Sequence, residues 1–141
     1  MNKVEFEKFL GEFEFRKYAD IESNGKHALF KKIHAETICE GYVYLWIEKY
    51  RGKFKVVYVG KAGKTMKRRC SQHLCGFRGG SKIGKTHSSN ILKGIKAGKR
   101  YMVYDRKSKI KKFMGESDIP FCCVEEIAFI KKLKPPWNSL K

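Results

Sequence analysis

Two strand-like runs joined by a tight polar break, GYVYLWIEKYRGKFKVVYVG from Gly41 to Gly60, constrain this chain more than any other stretch. In the first run Val43, Leu45 and Ile47 alternate with Tyr42, Tyr44 and Trp46, the period-two pattern of a half-buried strand. In the second, Val56, Tyr58 and Gly60 alternate with Val57 and Val59. Arg51, Gly52 and Lys53 lie between the runs, and a short glycine-containing break of this kind marks a β-hairpin. The hairpin lifts Tyr44 and Tyr58 as candidate phenols on adjacent strands.

A chain of 141 residues holds one domain with a single modest core. Its formal net charge of +18 calls for a polyanionic partner, nucleic acid ahead of an anionic membrane. A membrane span is not expected, because no apolar run approaches the ~20 residues a transmembrane helix needs. The acidic start (Glu5, Glu7, Glu12, Glu14) is unlike a signal peptide, and cytoplasmic residence is expected. Five cysteines, two of them the adjacent Cys122 and Cys123, make a poor disulfide framework and fit a reducing compartment.

Residues 1–40 read as an N-terminal extension to a unit spanning residues 41–141. Val4, Phe6, Phe9, Leu10 and Phe13 mark a short amphipathic helix, Ser23 to Lys26 a turn, and Ala28 to Ile38 fits helix or strand. Beyond the hairpin, Lys61 and Lys64 lead into a helix whose buried stripe is Met66, Cys70 and Leu74. Arg69 and His73, four apart, share one face of that helix and can both address a single phosphate, with Arg68 about a quarter turn away. Gly76 to Ser89 reads as a flexible glycine-rich segment carrying Arg78, Lys82 and Lys85, followed by a short helix from Asn90 to Lys99. Tyr101 to Tyr104 is a third strand, and Arg106 to Lys112 a basic solvated loop. The last helix, Phe121 to Leu133, is expected to turn Val124, Ile127, Ile130 and Leu133 inward. Glu125 and Glu126 interrupt it, and Pro135 to Asn138 closes the chain in an extended form.

Gly79-x-x-x-x-Gly84-Lys85-Thr86 satisfies the P-loop expression. A P-loop must follow a buried strand, and the residues before Gly79 are helical and basic. Nucleotide hydrolysis is therefore kept only as a rival reading.

Together these residues resemble the GIY-YIG nuclease family over about Gly41 to Asn138. Tyr42-Val43-Tyr44 is similar to the first half of the family signature, with Tyr42 in place of the usual glycine, and Tyr58-Val59-Gly60 matches the second half in full. Arg69 to His73 follows the family's Arg-x-x-x-His pattern, one residue further from the second tyrosine than usual, which leaves Arg68 as a competitor. Glu126 stands twelve residues before Asn138, the family's spacing from metal-binding glutamate to terminal asparagine, and Glu125 is the fallback.

The resemblance implies an α+β fold, with a small central antiparallel sheet of about three strands flanked by helices. It implies an endodeoxyribonuclease of restriction or phage type, dependent on Mg2+ or Mn2+. Glu126 would hold the ion and Arg69 the scissile phosphate. Tyr44 would activate water if nearby positive charge lowers its pKa, Tyr58 would orient the site, and His73 would accept or hold the Tyr44 proton. Gly60 and Asn138 would be structural, and Lys61, Lys64, Arg68, Arg78, Lys82 and Lys85 would touch DNA. A domain with one site cuts both strands only by two molecules or two visits, which makes a homo-oligomer one expected route. A catalytically silent nucleic-acid-binding module is the other rival.

Overall fold

The computed structural model describes residues 1–35 and 41–139. The chain runs α1 (Lys3–Glu12), β1 (Arg16–Ser23), β2 (Ala28–Lys31), β3 (Tyr42–Tyr50), β4 (Lys53–Ala62), α2 (Met66–Cys75), a π-helical turn (Gly76–Gly80), α3 (Lys82–Lys96), β5 (Arg100–Lys107), β6 (Ile110–Phe113), β7 (Glu116–Pro120), α4 (Cys122–Leu133) and a closing 3-10 turn (Pro136–Ser139). The fold is α+β, and its main sheet has five strands in the order β2-β1-β5-β3-β4, two more than the sequence suggests. Every pairing in it is antiparallel.

The additional strands come from residues 16–31, within the stretch read as an extension. β1 pairs with β5 along its length, and β2 folds back on β1 through the Asn24–Gly25 turn. An irregular register between Lys17 and Ala19 places Tyr18 as an extra residue in β1 and breaks its alternation. The amphipathic helix expected at the N-terminus is α1. Asn2 and Glu5 form a reciprocal capping box there, and Phe6 stacks on Phe54 of β4 at 4.4 Å between ring centroids. The stretch from Ala28 to Ile38, ambiguous between helix and strand, opens as β2, and its end, residues 36–38, lies outside the described residues.

β3 is central, hydrogen-bonded to β4 on one side and β5 on the other. It is buried on both faces rather than half-buried, because helices cover the sheet from both sides. Tyr42, Tyr44 and Trp46 join a core with Met66 and Cys70 of α2 and Ile91 of α3. Val43, Leu45 and Ile47 join a second core with Phe6 and Phe9 of α1 and Phe129 of α4. The β3–β4 turn is tighter than expected. Lys53 already pairs with Tyr50, leaving Arg51 (φ 50) and Gly52 (φ 73), both left-handed as a two-residue primed turn requires.

The simple alternation expected of β4 fails at one point. The pairing steps from Trp46–Tyr58 to Ile47–Val56, so Val57 is an inserted residue, a β-bulge. Val57 and Tyr58 therefore both belong to the α2/α3 side, while Val56 and Val59 belong to the other.

The segment Gly76 to Ser89 is not a flexible loop. After the π-helical turn, which reverses at Gly79 (φ 113), α3 starts at Lys82 with Ser81 as its cap. The glycines that suggest a loop serve packing instead. A Cβ on Gly84 would meet the backbone of Gly76 at 2.5 Å. The P-loop pattern thus lies on a kink and the first turns of a helix, with no strand before it, and the phosphate cradle of that fold is not formed.

Three further expectations are corrected in the last third of the chain. Arg106 is buried in β5, where it pairs with Glu125 at 2.8 Å, and residues 110–113 form a hairpin with β7 rather than a solvated loop. Val124 and Ile127 of α4 are 60% and 53% exposed, so the buried face of that helix runs through Cys122 and Phe129 together with Ile130 and Leu133, the two expected residues that do pack on the core. The closing residues wind into a 3-10 turn, where an extended run is expected.

Candidate active site

The hairpin and α2 bring the proposed phenols, arginine and histidine together. Tyr44 lies opposite Gly60 in the β3–β4 ladder, and Tyr58 lies opposite Trp46. Gly60 is required by the close approach of a ring, since a Cβ there would fall 2.3 Å from both the Cζ and the hydroxyl of Tyr44. Gly60→Ala must therefore displace the Tyr44 phenol. We expect roughly a hundredfold loss of turnover, the scale of a 1 Å misplacement, with DNA affinity held within about twofold; steady-state kinetics and an equilibrium binding titration on the same protein check it.

α2 is started by Thr65, whose side chain accepts from the Arg68 backbone N–H. The four-residue spacing then sets Arg69 and His73 over the phenols. Arg69 Nε donates to the Tyr44 hydroxyl at 3.1 Å, and the hydroxyl and His73 Nε2 lie 2.5 Å apart. Because Arg69 occupies the oxygen as a donor, the phenol's own proton is free to go to His73, which is then the tautomer protonated on Nδ1. Tyr58 stands beside the pair, its ring centroid 6.2 Å from that of Tyr44, and lies within electrostatic reach of Arg69. The sequence reading missed Gln72, whose Oε1 accepts from Arg69 Nη1 at 3.1 Å and fixes the guanidinium; its only signal was its three-residue spacing from Arg69.

Burial governs the protonation states. Tyr44 is pushed well above the ordinary phenol value, chiefly by desolvation, which outweighs the Arg69 charge and hydrogen bond. The condition set for Tyr44 to activate water, a lowering by nearby positive charge, is thus not met by the free protein. Tyr58 is also raised, again mainly by burial. His73 sits among the rings of Trp46, Tyr44, Tyr58 and Phe77 at 4.8 to 6.1 Å, and desolvation, then the charge on Arg69, holds it down at about 3.

His73 is therefore a neutral acceptor across the physiological range. Its folded pKa lies below the ordinary 6.5, so below that pH the unfolded chain binds a proton that the folded one refuses. His87, buried against Trp46 and Tyr58, is lowered for the same reason. Thermal stability should accordingly fall as pH drops from about 6.5 toward about 3, by several degrees per pH unit at most. His73→Gln should flatten that slope in melting curves recorded across the range.

The two carboxylates of α4 separate cleanly. Glu125 is engaged: it pairs with Arg106 and accepts from the backbone N–H of Lys109 at 2.9 Å. Glu126 makes no hydrogen bond or ion pair of its own among the described residues. It is half-buried, and its pKa is raised mainly by desolvation, against the opposing charges of Lys61 and Arg69. It also influences Tyr58 electrostatically. Since α4 packs on the sheet face opposite α2, the groups meet around the edge strand β4.

Asn138 clasps that edge. Its side chain accepts from the Val59 N–H and donates to the Val59 carbonyl, both at 2.8 Å, between Tyr58 and Gly60. Outside the cluster, Lys64, Arg68 and Arg69 line a cleft of about 200 Å³ with Thr65 and Gln72. Arg68 is exposed, whereas Arg69 is partly buried against the phenols. Lys61 ends β4 and donates to Cys123 Sγ at 2.9 Å. Arg78, Lys82 and Lys85 are exposed on the π-helical turn and the start of α3.

A family model describing the GIY-YIG catalytic domain matches residues 40–138. The chain belongs to the GIY-YIG family. Its nuclease-type domain shares its fold with two solved structures. A variant of EndoII from bacteriophage T4 aligns over 94% of this chain and 97% of its own, at 22% identity and a TM-score of 0.67. Restriction endonuclease HPY188I, solved with product DNA, aligns over 100% of this chain and 87% of its own, at 18% identity and a TM-score of 0.50. No curated protein sequence matches at a significant level. In this GIY-YIG chain Tyr42 occupies the signature's first glycine position and is buried in the α2/α3-side core. Among the described residues, no helix is long and apolar enough to cross a membrane.

A divalent ion fits the residues present. Among the described residues no three His, Cys, Asp or Glu side chains converge, so a closed protein cage is not formed there. A single half-buried carboxylate with no ion-pair partner among the described residues, within electrostatic reach of Lys61 and Arg69, suits Mg2+ or Mn2+, which takes one or two carboxylates and completes its shell with water and phosphate.

Proposed function

We propose that the chain is a DNA endonuclease that hydrolyses phosphodiester bonds with a divalent ion, Mg2+ or Mn2+, in restriction or phage-type destruction of DNA. The observation that carries this reading is the linked Arg69–Tyr44–His73 cluster beside the unengaged carboxylate of Glu126. We assign the catalytic unit to residues 41–141, with residues 1–40 as an extension that builds into its sheet. Lys61, Lys64, Arg68, Arg78, Lys82 and Lys85 contact the DNA backbone. The protein acts in the cytoplasm, and a homo-oligomer provides the second site for a double-strand cut.

Arg69 holds the scissile phosphate with the donors that Tyr44 and Gln72 leave free, in the planar fork geometry that suits two oxygens. Glu126 holds the metal, which when bound supplies positive charge to the nonbridging and departing oxygens. The attacking water forms its bond to phosphorus as the bond to the 3′ oxygen breaks, and the departing 3′ oxygen takes a proton from solvent water, giving a 5′-phosphate and a 3′-hydroxyl; the proton gathered by the protein returns to solvent after the cut. Because burial opposes a free phenolate at Tyr44, the water's proton passes to the Tyr44 oxygen as Tyr44 passes its own to His73 Nε2. Phosphate bound to Arg69 offsets the charge that holds His73 down, which makes the ring a better acceptor in the complex than in the free protein. Tyr58 orients the site by packing beside Tyr44.

Incubation of the purified protein with supercoiled plasmid and Mg2+ or Mn2+ should yield nicked or linear DNA with 5′-phosphate ends, and chelation should stop it. Binding without cutting in either metal would instead favour a silent nucleic-acid-binding module.

A further inference from the structure

Between Glu48 and Asp105 the chain contains sixteen Lys and Arg and no Asp or Glu. α3 lies wholly inside this run. Its Lys82, Lys85, Lys93 and Lys96 follow the 3.6-residue period, so they form one stripe along the helix, with Ser89 between the two pairs. At 1.5 Å per residue the stripe is about 21 Å long. Beside it runs a groove of about 430 Å³ bordered by Lys26 of the β1–β2 turn and by Lys85, Lys93 and Lys96, with Phe77 and Leu92 also in its lining. No carboxylate lines it among the described residues.

This stripe does nothing for the fold. Like charges three residues apart destabilise a helix by a few tenths of a kcal/mol. Lys82 and Lys85 stand in the first turn, where the helix dipole disfavours cations. A solvated face would be served better by Glu–Lys pairs. A partner carrying a regular line of negative charge removes both penalties, and duplex DNA carries about one charge per 1.7 Å of axis. The groove also borders the candidate site: Phe77, in its lining, stacks on the His73 ring at 6.1 Å between centroids.

We propose that the α3 stripe and Lys26 form a DNA-backbone track that seats the duplex flanking the cleaved phosphate, independently of base sequence. This rests on the reading of DNA as substrate. The track sets affinity and salt dependence, while Arg69 and Glu126 set the chemical step, so losing it should raise KM and leave kcat near its original value.

The test uses K26Q, K93Q and K96Q combined, all exposed positions with no part in the core, against a control with the same charge loss at Lys3, Lys8 and Lys112. Binding of a 5′-labelled duplex of about 30 base pairs is titrated at several salt concentrations without metal. The track variant should bind at least about tenfold more weakly near physiological salt. Its log–log salt slope should be shallower by about 2 to 3, the release expected from three phosphate contacts. The control should change the slope by less than about 1. Equal changes in both variants would reduce the stripe to a contribution to the overall field and overturn the proposal, as would an unchanged track variant. If the parent protein binds no DNA, the reading of the substrate fails first; if it binds and cuts while the track variant matches it, only the track is lost.

Discussion

Glu126→Gln should lower the cleavage rate by about three orders of magnitude or more while holding DNA affinity in metal-free buffer within about twofold. The substitution keeps the size of the side chain and removes the charge that would hold the metal, and it leaves the basic surface intact. Stability offers a second readout. The carboxylate's pKa is raised by burial, so its ionised form costs folding free energy at neutral pH. The neutral amide should therefore melt slightly higher than the parent. Added Mg2+ should raise the melting temperature of the parent and not that of the variant. Full activity in Glu126→Gln would remove Glu126 from the mechanism. Glu125 would then be an awkward replacement, since freeing it would leave the buried Arg106 unpaired.

The second large effect belongs to Arg69. Arg69→Ala removes the donor to Tyr44 as well as the proposed phosphate clamp, and should cost about 10²- to 10³-fold in kcat. Affinity should change by less than about tenfold, because fifteen other cations remain between Glu48 and Asp105. Arg68→Ala, at an exposed position on the same cleft, should lower affinity modestly and leave kcat within about threefold. Single-turnover cleavage with saturating protein separates the two. A silent Arg69 variant beside a dead Arg68 variant would reverse the assignment.

The hairpin was legible because its alternation, its glycine turn and its aromatic content agree, and the Arg69–His73 pairing was legible because helical spacing alone puts both on one face. Other parts were hidden for physical reasons. β1 escaped notice because Arg16, Lys17, Asp20 and Glu22 dilute its apolar pattern and an extra residue at Tyr18 breaks its period. The first half of α3 looked like a loop, with helix expected only from Asn90, because Gly79, Gly80 and Gly84 are poor helix formers, and the need for close backbone contact between Gly84 and Gly76 cannot be read from one sequence. Half of the inner face of α4 was legible, Ile130 and Leu133 packing on the core, while Val124 and Ile127 turn outward because the fold spends the inner side of the first turns on Cys122, the Arg106–Glu125 pair and Phe129. The direction of the Tyr44 shift depends on enclosure by two layers of helices, which residue types do not reveal.

The clasp of Asn138 on Val59 spans 79 residues of chain. On the ribosome, the strands bearing the phenols emerge long before the residue that closes their outer edge, and Glu126 follows them almost as late. Until those residues follow, the growing polypeptide has a bare strand edge at Val59 and lacks the carboxylate proposed to hold the metal. A chain with this order of parts completes the proposed site only after Asn138 has joined the sheet, while the edge left open until then is where a nascent copy is most prone to pair with its neighbours.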